Sequence, residues 1–268
     1  MSFLEYEFMR NALVAAALVG ILAPSIGVFL VQRRLSLMGD GIGHVAFTGV
    51  AAGLLLGVYP VYTAVVAAVA GAVVIELLRQ RGRTAGDVAL ALIFYGGIAG
   101  AVMLIGIGDV SNVSLNTYLF GSVISVGGTD LAAIAAVTAA IVLVTTTLRK
   151  ELFAICYDEE VARAAGVRVT LMNLAIASSA ALAIAVTMRV VGILLVSAML
   201  VLPVAAVQQV TRSFRATVYA SLALGVTACV GGLIIAFYAD VSPGATIVLT
   251  TIASFVGAAA AGRLRMAH

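Results

Sequence analysis

Nine stretches of apolar, largely uncharged residues succeed one another along this 268-residue chain, at approximately 11–32, 40–58, 61–78, 88–108, 129–148, 170–188, 190–208, 216–238 and 244–262. A bilayer hydrocarbon core about 30 Å thick is crossed by roughly 20 helical residues, the length of each stretch. Composition agrees, at 63% apolar and 10% charged residues, against about 45–50% and 25% in an average soluble domain. A mean hydropathy of +1.19 leaves too little polar side chain to face water. That excludes a soluble enzyme, a secreted disulfide scaffold and a disordered chain. In lipid every backbone polar group must be bonded internally. The expected fold class is therefore an all-α polytopic membrane protein with eight to nine transmembrane helices, forming a single domain over 1–268.

Smaller features fit the same class. The stretch 115–127 is apolar but too short to span, and is expected as a re-entrant or interfacial helix. The first ten residues carry Glu5 and Glu7 and have no basic leader or small-residue cleavage site, so the first apolar run is expected as a retained span. Cys156 and Cys229 fit neither a metal spacing nor a disulfide framework. The eight methionines are scattered, without the clustering of a copper path.

The basic residues set the orientation. Arg33, Arg34, Arg79, Arg81, Arg83, Arg149, Lys150, Arg163, Arg168, Arg212, Arg215, Arg263 and Arg265 fall in alternate connections and account for 13 of the 15 Lys and Arg residues. Arg10 and Arg189 fall on the other side. Positive residues concentrate in the cytoplasm, which places the N-terminus outside and the C-terminus inside. The net charge of +3 is thus a topology signal, and no nucleic-acid partner is expected.

No phosphate-binding loop, catalytic triad or nucleotide fingerprint is present, so the chain is not expected to be an enzyme or to hydrolyse ATP alone. Its internal histidine, His44, lies four residues after Asp40, and the other histidine is His268. On a helix, positions four apart share a face with Cβ atoms about 5–6 Å apart. A carboxylate and an imidazole there can converge on one metal ion. Counted at ~1.5 Å per residue from Arg34, His44 lies about 15 Å deep and Asp40 about 9 Å deep. Ionisable groups at such depth mark transport pathways, and Gly39, Gly41 and Gly43 leave the neighbouring surface bare. The bland alternative is an Asp40–His44 hydrogen bond that pins a helix, or an Asp40–Arg34 pair. Two ligands fall short of the four of a structural zinc site, so a transient site completed by water or a second subunit is the natural metal reading.

Three other segments carry polar signals. In 157–166, Asp158 is a good N-cap, Glu159 and Glu160 suit a helix N-terminus and Gly166 suits a C-cap. A two-turn helix with Val161, Ala164 and Ala165 as a small apolar face is expected. It is either an ordinary capped interfacial helix or a docking helix for a cytoplasmic partner. Around Ser242-Pro243-Gly244 a turn is expected. Asp240 there, with Glu5, Glu7 and Asp109, makes the outer face mildly acidic, which reads first as a solvated loop. In 189–203, Pro203 is expected to kink its helix. Ser197 could face a pathway or bond back to its own helix, with packing the favoured role.

Taken in order, the segments Arg33-Arg34-Leu35-Ser36-Leu37-Met38-Gly39-Asp40 with His44, Asp87-Val88-Ala89-Leu90, Tyr118-Leu119-Phe120-Gly121-Ser122, 158–166, Val191-Gly192-Ile193-Leu194-Leu195-Val196-Ser197-Ala198 and Ser242-Pro243-Gly244-Ala245 resemble the permeases of bacterial zinc/manganese ABC importers. The resemblance covers roughly residues 5–262. It implies a permease that pairs with a second copy of itself and binds two copies of a separate cytoplasmic ATPase. It also implies metal delivery by an extracytoplasmic binding protein, and a place in the bacterial inner membrane. Asp40 and His44 match the residues implicated in metal coordination. The segment Asp158, Glu159, Glu160, Val161, Arg163, Ala164 and Gly166 matches the coupling helix. The chain departs from many members at Gly41-Ile42-Gly43 and at Phe47-Thr48-Gly49.

The expectation is a membrane subunit of an ATP-driven divalent metal importer, carrying Zn2+ and holding no permanent cofactor. The same machine carrying Mn2+ or Fe2+ is the first alternative. An ion-coupled secondary transporter is the second. It would need further intramembrane acids, whereas Glu76 and Asp87 lie near span ends.

Overall fold

The computed structural model describes residues 7–80, 86–108, 117–122 and 126–266, and all regular structure among them is helical. The helices are α1 (Glu7–Gln32), α2 (Met38–Leu56), α3 (Pro60–Gln80), α4 (Gly86–Ile107), α5 (Gly128–Thr147), α6 (Arg149–Tyr157), α7 (Glu159–Ala164), α8 (Val169–Val191), α9 (Ile193–Gln208), α10 (Phe214–Ala239) and α11 (Pro243–Met266). A single helical turn at 117–120 belongs to the short stretch expected to be re-entrant. Arg81, Arg83, Glu5, Asp109 and His268 lie outside the described residues, as does the side chain of Asp87.

Eight of these helices are long and apolar enough to cross a membrane. The ninth expected span, 190–208, is cut short: its helix begins at Ile193 and runs 16 residues, about 24 Å at ~1.5 Å per residue. The cut is made by Gly192, whose φ of +91° separates α8 from α9. Only glycine adopts such a conformation without a Cβ penalty. Space requires glycine there too, because a Cβ on Gly192 would lie 2.4 Å from the carbonyl carbon of Phe120. The 117–122 stretch therefore sits directly on the break, and the Ser122 amide donates to the Arg189 carbonyl at 2.8 Å.

Helices α1 and α8 are central, and α4, α5 and α11 peripheral. α2 packs between α3 and α4, α1 lies against α5, α9 and α10, and α11 lies against α9 and α10. The close packing comes from small residues, which let backbones meet where lipid supplies no hydrophobic drive. Where α1 crosses α10, a Cβ on Gly20 would lie 2.7 Å from the Gly225 carbonyl oxygen.

The connection from α1 to α2 is a hydrogen-bonded turn rather than continuous helix. The Arg34 amide donates to the Val31 carbonyl at 3.0 Å and the Leu35 amide to the Leu30 carbonyl at 2.8 Å. This is the Schellman pattern, with Arg34 at φ +58° where glycine is usual. Because α2 starts only at Met38, the uniform helical count from Arg34 does not hold. Asp40 lies about 3 Å and His44 about 9 Å along the α2 axis from its first residue.

Candidate functional site

Asp40 occupies the first turn of α2, where a carboxylate is favoured by the unpaired amides of the helix N-terminus. Its neighbour Gly39 lets α9 approach closely: a Cβ at Gly39 would lie 3.2 Å from the Ser197 Cβ. Across this contact the Ser197 hydroxyl donates to Asp40 Oδ1. Ser197, buried, thus bonds across to α2 rather than back to its own helix. Among the described residues Asp40 makes no ion pair with Arg34.

His44 lies one turn further along the same face of α2 and is half-buried. Phe94 of α4 packs edge-on to the imidazole, with ring centroids 4.5 Å apart. Behind the histidine stands Gly97, where a Cβ would lie 2.8 Å from the His44 carbonyl carbon and 3.1 Å from its Cβ. Thr48 fastens this crossing, since its hydroxyl lies 2.6 Å from the Gly97 carbonyl and 3.2 Å from that of His44. Among the described residues neither imidazole nitrogen has a hydrogen-bond partner, so the Asp40–His44 hydrogen bond of the bland reading is not made. No group of three or more His, Cys, Asp or Glu side chains that could hold a metal forms among the described residues. One copy of the chain thus places a carboxylate and an imidazole on the first turns of α2, with a serine hydroxyl of α9 on the carboxylate.

At the end of the bundle where α1 meets α2, the expected short helix is present as α7, Glu159–Ala164. Asp158 Oδ1 accepts from the Glu160 and Val161 amides at 2.8 and 3.0 Å. The other end closes as a Schellman motif, with Gly166 N–H to Arg163 O at 3.1 Å and Val167 N–H to Ala162 O at 3.0 Å. Gly166 takes φ +85° for this. Glu160, Val161, Arg163 and Ala164 are exposed, and Ala162 is buried.

Glu159 is half-buried and bonds back to the bundle. Its Oε2 accepts from Arg33 Nη2 at 2.8 Å and its Oε1 from Asn173 Nδ2 at 3.0 Å. Arg79 and Arg163 each approach to 3.9 Å. Arg33 also donates to Asn173. Burial and then the nearby Arg79 push the Arg33 guanidinium below its usual pKa, against the pull of Glu159. Arg79 is engaged in turn by Glu76, at 3.0 and 2.9 Å.

At the opposite end lies a network that sequence reasoning did not assemble. Arg189 Nη1 donates to Asp130 Oδ1 at 2.6 Å and to the Tyr59 hydroxyl at 2.7 Å, and that hydroxyl donates to Asp130 Oδ1 at 2.6 Å. The Arg189 guanidinium also lies 5.9 Å from the Tyr59 ring centre and 6.0 Å from that of Tyr118. The network joins the α2–α3 connection, the start of α5, the end of α8 and the 117–120 turn. Burial and the bond to Asp130 push the Tyr59 phenol up to about 12. The available signal was a lone acid and a lone base at the same expected ends of two spans.

The model of the ABC 3 transport family matches residues 5–262. A probable iron transport system membrane protein of Haemophilus influenzae is 32% identical over 98% of this chain and 97% of its own length. The manganese import system permease protein ScaB of Streptococcus parasanguinis is 30% identical over 94% of this chain and 90% of its own length. Among solved structures, PsaBC from Streptococcus pneumoniae, in complex with Fab, superposes with a TM-score of 0.86 at 32% identity, covering 95% of this chain and 92% of that one. The chain belongs to the ABC 3 transport family. It is the membrane permease of a metal ABC importer, a multi-pass transport subunit and not itself an enzyme.

Proposed function

We propose that the chain carries a divalent first-row metal ion past Asp40 and His44, with Mn2+ or Fe2+ favoured over Zn2+. The observation that carries this is the Ser197 hydroxyl on the Asp40 carboxylate, beside a half-buried imidazole free of hydrogen bonds among the described residues. The zinc expectation rested on the resemblance to zinc/manganese permeases and on a donor set of one carboxylate and one imidazole. Ser197 adds an oxygen, and oxygen-rich sets suit manganese, whereas zinc takes nitrogen and sulfur readily. The names of the relatives, for manganese and for iron, support the same direction.

In this reading two copies of the chain pair so that both Asp40–His44 sets face one path. An extracytoplasmic binding protein hands the ion to the outer mouth. Two copies of a cytoplasmic ATPase seat the exposed face of α7, and ATP-driven closure opens the path inward. The importer sits in the bacterial inner membrane with the N-terminus outside. A secondary transporter fits less well: Glu76 and Asp130, the buried acids among the described residues, are paired with Arg79 and Arg189 and are not free to carry a coupling proton.

Elemental analysis of metal-starved cells lacking the protein, complemented with the natural chain or with His44→Ala, tests the proposal. A manganese or iron deficit corrected only by the natural chain is the expected result. A deficit confined to zinc would restore the zinc reading, and equal rescue by both chains would remove His44 from the path.

A further inference from the structure

We infer that Glu159 is the positioning residue that ties the docking helix α7 to the metal-binding turn of α2, through Arg33. The inference rests on the proposed role of α7 as the seat of the ATPase and goes beyond it. It separates the side chains that meet the partner from the one that passes its movement on.

Glu159 opens α7 and, half-buried, turns its carboxylate to α1 and α8. Its two oxygens divide between Arg33, at the end of α1, and Asn173, in the first turns of α8. The Arg33–Asn173 bond closes a triangle. The Arg33 side chain is only 5% exposed. A guanidinium withdrawn from water to that extent holds its acceptor strongly, because separation would leave a charge uncompensated. α7 itself is clamped at both ends, by the Asp158 cap and the Schellman closure at Gly166. It therefore moves as one piece, carrying its exposed residues and the Glu159 carboxylate together.

From Arg33 the chain reaches Asp40 in seven residues through a hydrogen-bonded turn. After the Arg34 and Leu35 bonds back into α1, the Met38 amide donates to the Leu35 carbonyl at 3.0 Å and the Gly41 amide to the Leu37 carbonyl at 3.3 Å. Met38 is 1% exposed. A displacement of Arg33 is carried through this closed turn to the first turn of α2, where Asp40 meets Ser197. Glu159 thus bridges the face on which the ATPase acts and the carboxylate on which the ion pauses.

The test uses the whole importer, the chain with its ATPase, in proteoliposomes supplied with Mn2+ and the binding protein, reading Mn2+ transported per ATP hydrolysed. Glu159→Gln retains the shape of the side chain and removes the charge that holds Arg33. The expected result is near-normal ATP hydrolysis with transport per ATP reduced about ten-fold. Arg33→Lys should produce the same loss, and the double variant should be no worse than the worse single one, as for two residues of one link. An unchanged ratio in Glu159→Gln overturns the inference. Loss of the ATPase from the purified complex also overturns it, by making Glu159 a docking residue. Val161→Asp, on the exposed face of α7, tests the docking role separately. If the ATPase still co-purifies with that variant, the docking role fails, whatever Glu159→Gln shows.

Discussion

The Ser197 hydroxyl of α9 donates to the Asp40 carboxylate of α2, joining residues 157 positions apart. The bond fixes the direction of the carboxylate and, in the proposed reading, sets the hydroxyl oxygen beside it as a further donor. Groups that orient a metal ligand are worth about 10- to 100-fold in affinity. Ser197→Ala should therefore raise the KM for Mn2+ uptake about ten-fold, with the maximal rate less affected. Transport assays over a Mn2+ series read both. A KM that does not move would mean that Asp40 is oriented by its helix alone.

Gly97 and Gly96 form an internally controlled pair on α4. A Cβ at Gly97 would press to 2.8 Å on the His44 backbone, whereas one at Gly96 would meet nothing within 4 Å. Gly97→Ala must push α4 away from α2, at a cost of about 1–3 kcal/mol for overpacking. The shift also disturbs the Thr48 hydroxyl contact with the Gly97 carbonyl. A lower melting temperature in detergent and reduced metal uptake are expected for Gly97→Ala, and neither for Gly96→Ala. Equal melting temperatures for both would show that the crossing is loose.

The spans were legible because a run of twenty apolar residues has one economical use in a bilayer. The break at Gly192 was not: in a chain with 27 glycines, one more inside an apolar run carries no mark. Nor was the turn at Arg34, because an arginine at positive φ has no composition signal. The Asp40–His44 spacing was readable from helix periodicity, but Ser197 was not, since its partner is on another helix. The turn of the Glu159 carboxylate to α1 and α8 escaped for a related reason: a helix of six residues is too short for periodicity to say which face is buried. Asp130 and Arg189 were visible only as lone charges, 59 residues apart.

The Tyr59–Asp130–Arg189 network gives an alkaline stability signature. The Tyr59 phenol is raised from 10.0 to about 12, so the folded state holds this proton more tightly than the unfolded chain. Its contribution is fully present below pH 10 and is lost as pH rises toward 12. Melting temperature measured from pH 9 to pH 12 should fall more steeply for the natural chain than for Tyr59→Phe. Asp130→Asn should be worse at every pH, because it leaves the Arg189 guanidinium without its carboxylate. Removing one partner of a fully buried pair costs about 3–5 kcal/mol, and the partial exposure of Arg189 reduces this to about 2 kcal/mol. Parallel pH profiles for Tyr59→Phe and the natural chain would place the titration elsewhere.

Replacing His44 separates the ion's path from the packing around it. His44→Ala removes the nitrogen donor and the edge contact with Phe94, so uptake should fall to background while the complex with the ATPase still purifies. Loss of that complex would mean that His44 is needed for the fold, and the site reading would lose its support. His44→Asp is the more informative exchange, because it keeps a donor and changes its chemistry. A carboxylate in place of the imidazole leaves an all-oxygen set with Asp40 and Ser197, which suits manganese and penalises zinc. The variant should keep part of its Mn2+ uptake while competition by Zn2+ weakens about ten-fold. Competition assays with radiolabelled Mn2+ measure the ratio directly. Undiminished competition by Zn2+ would mean that discrimination is made before the ion reaches Asp40, at the outer mouth, and that the donor set at α2 does not choose the metal.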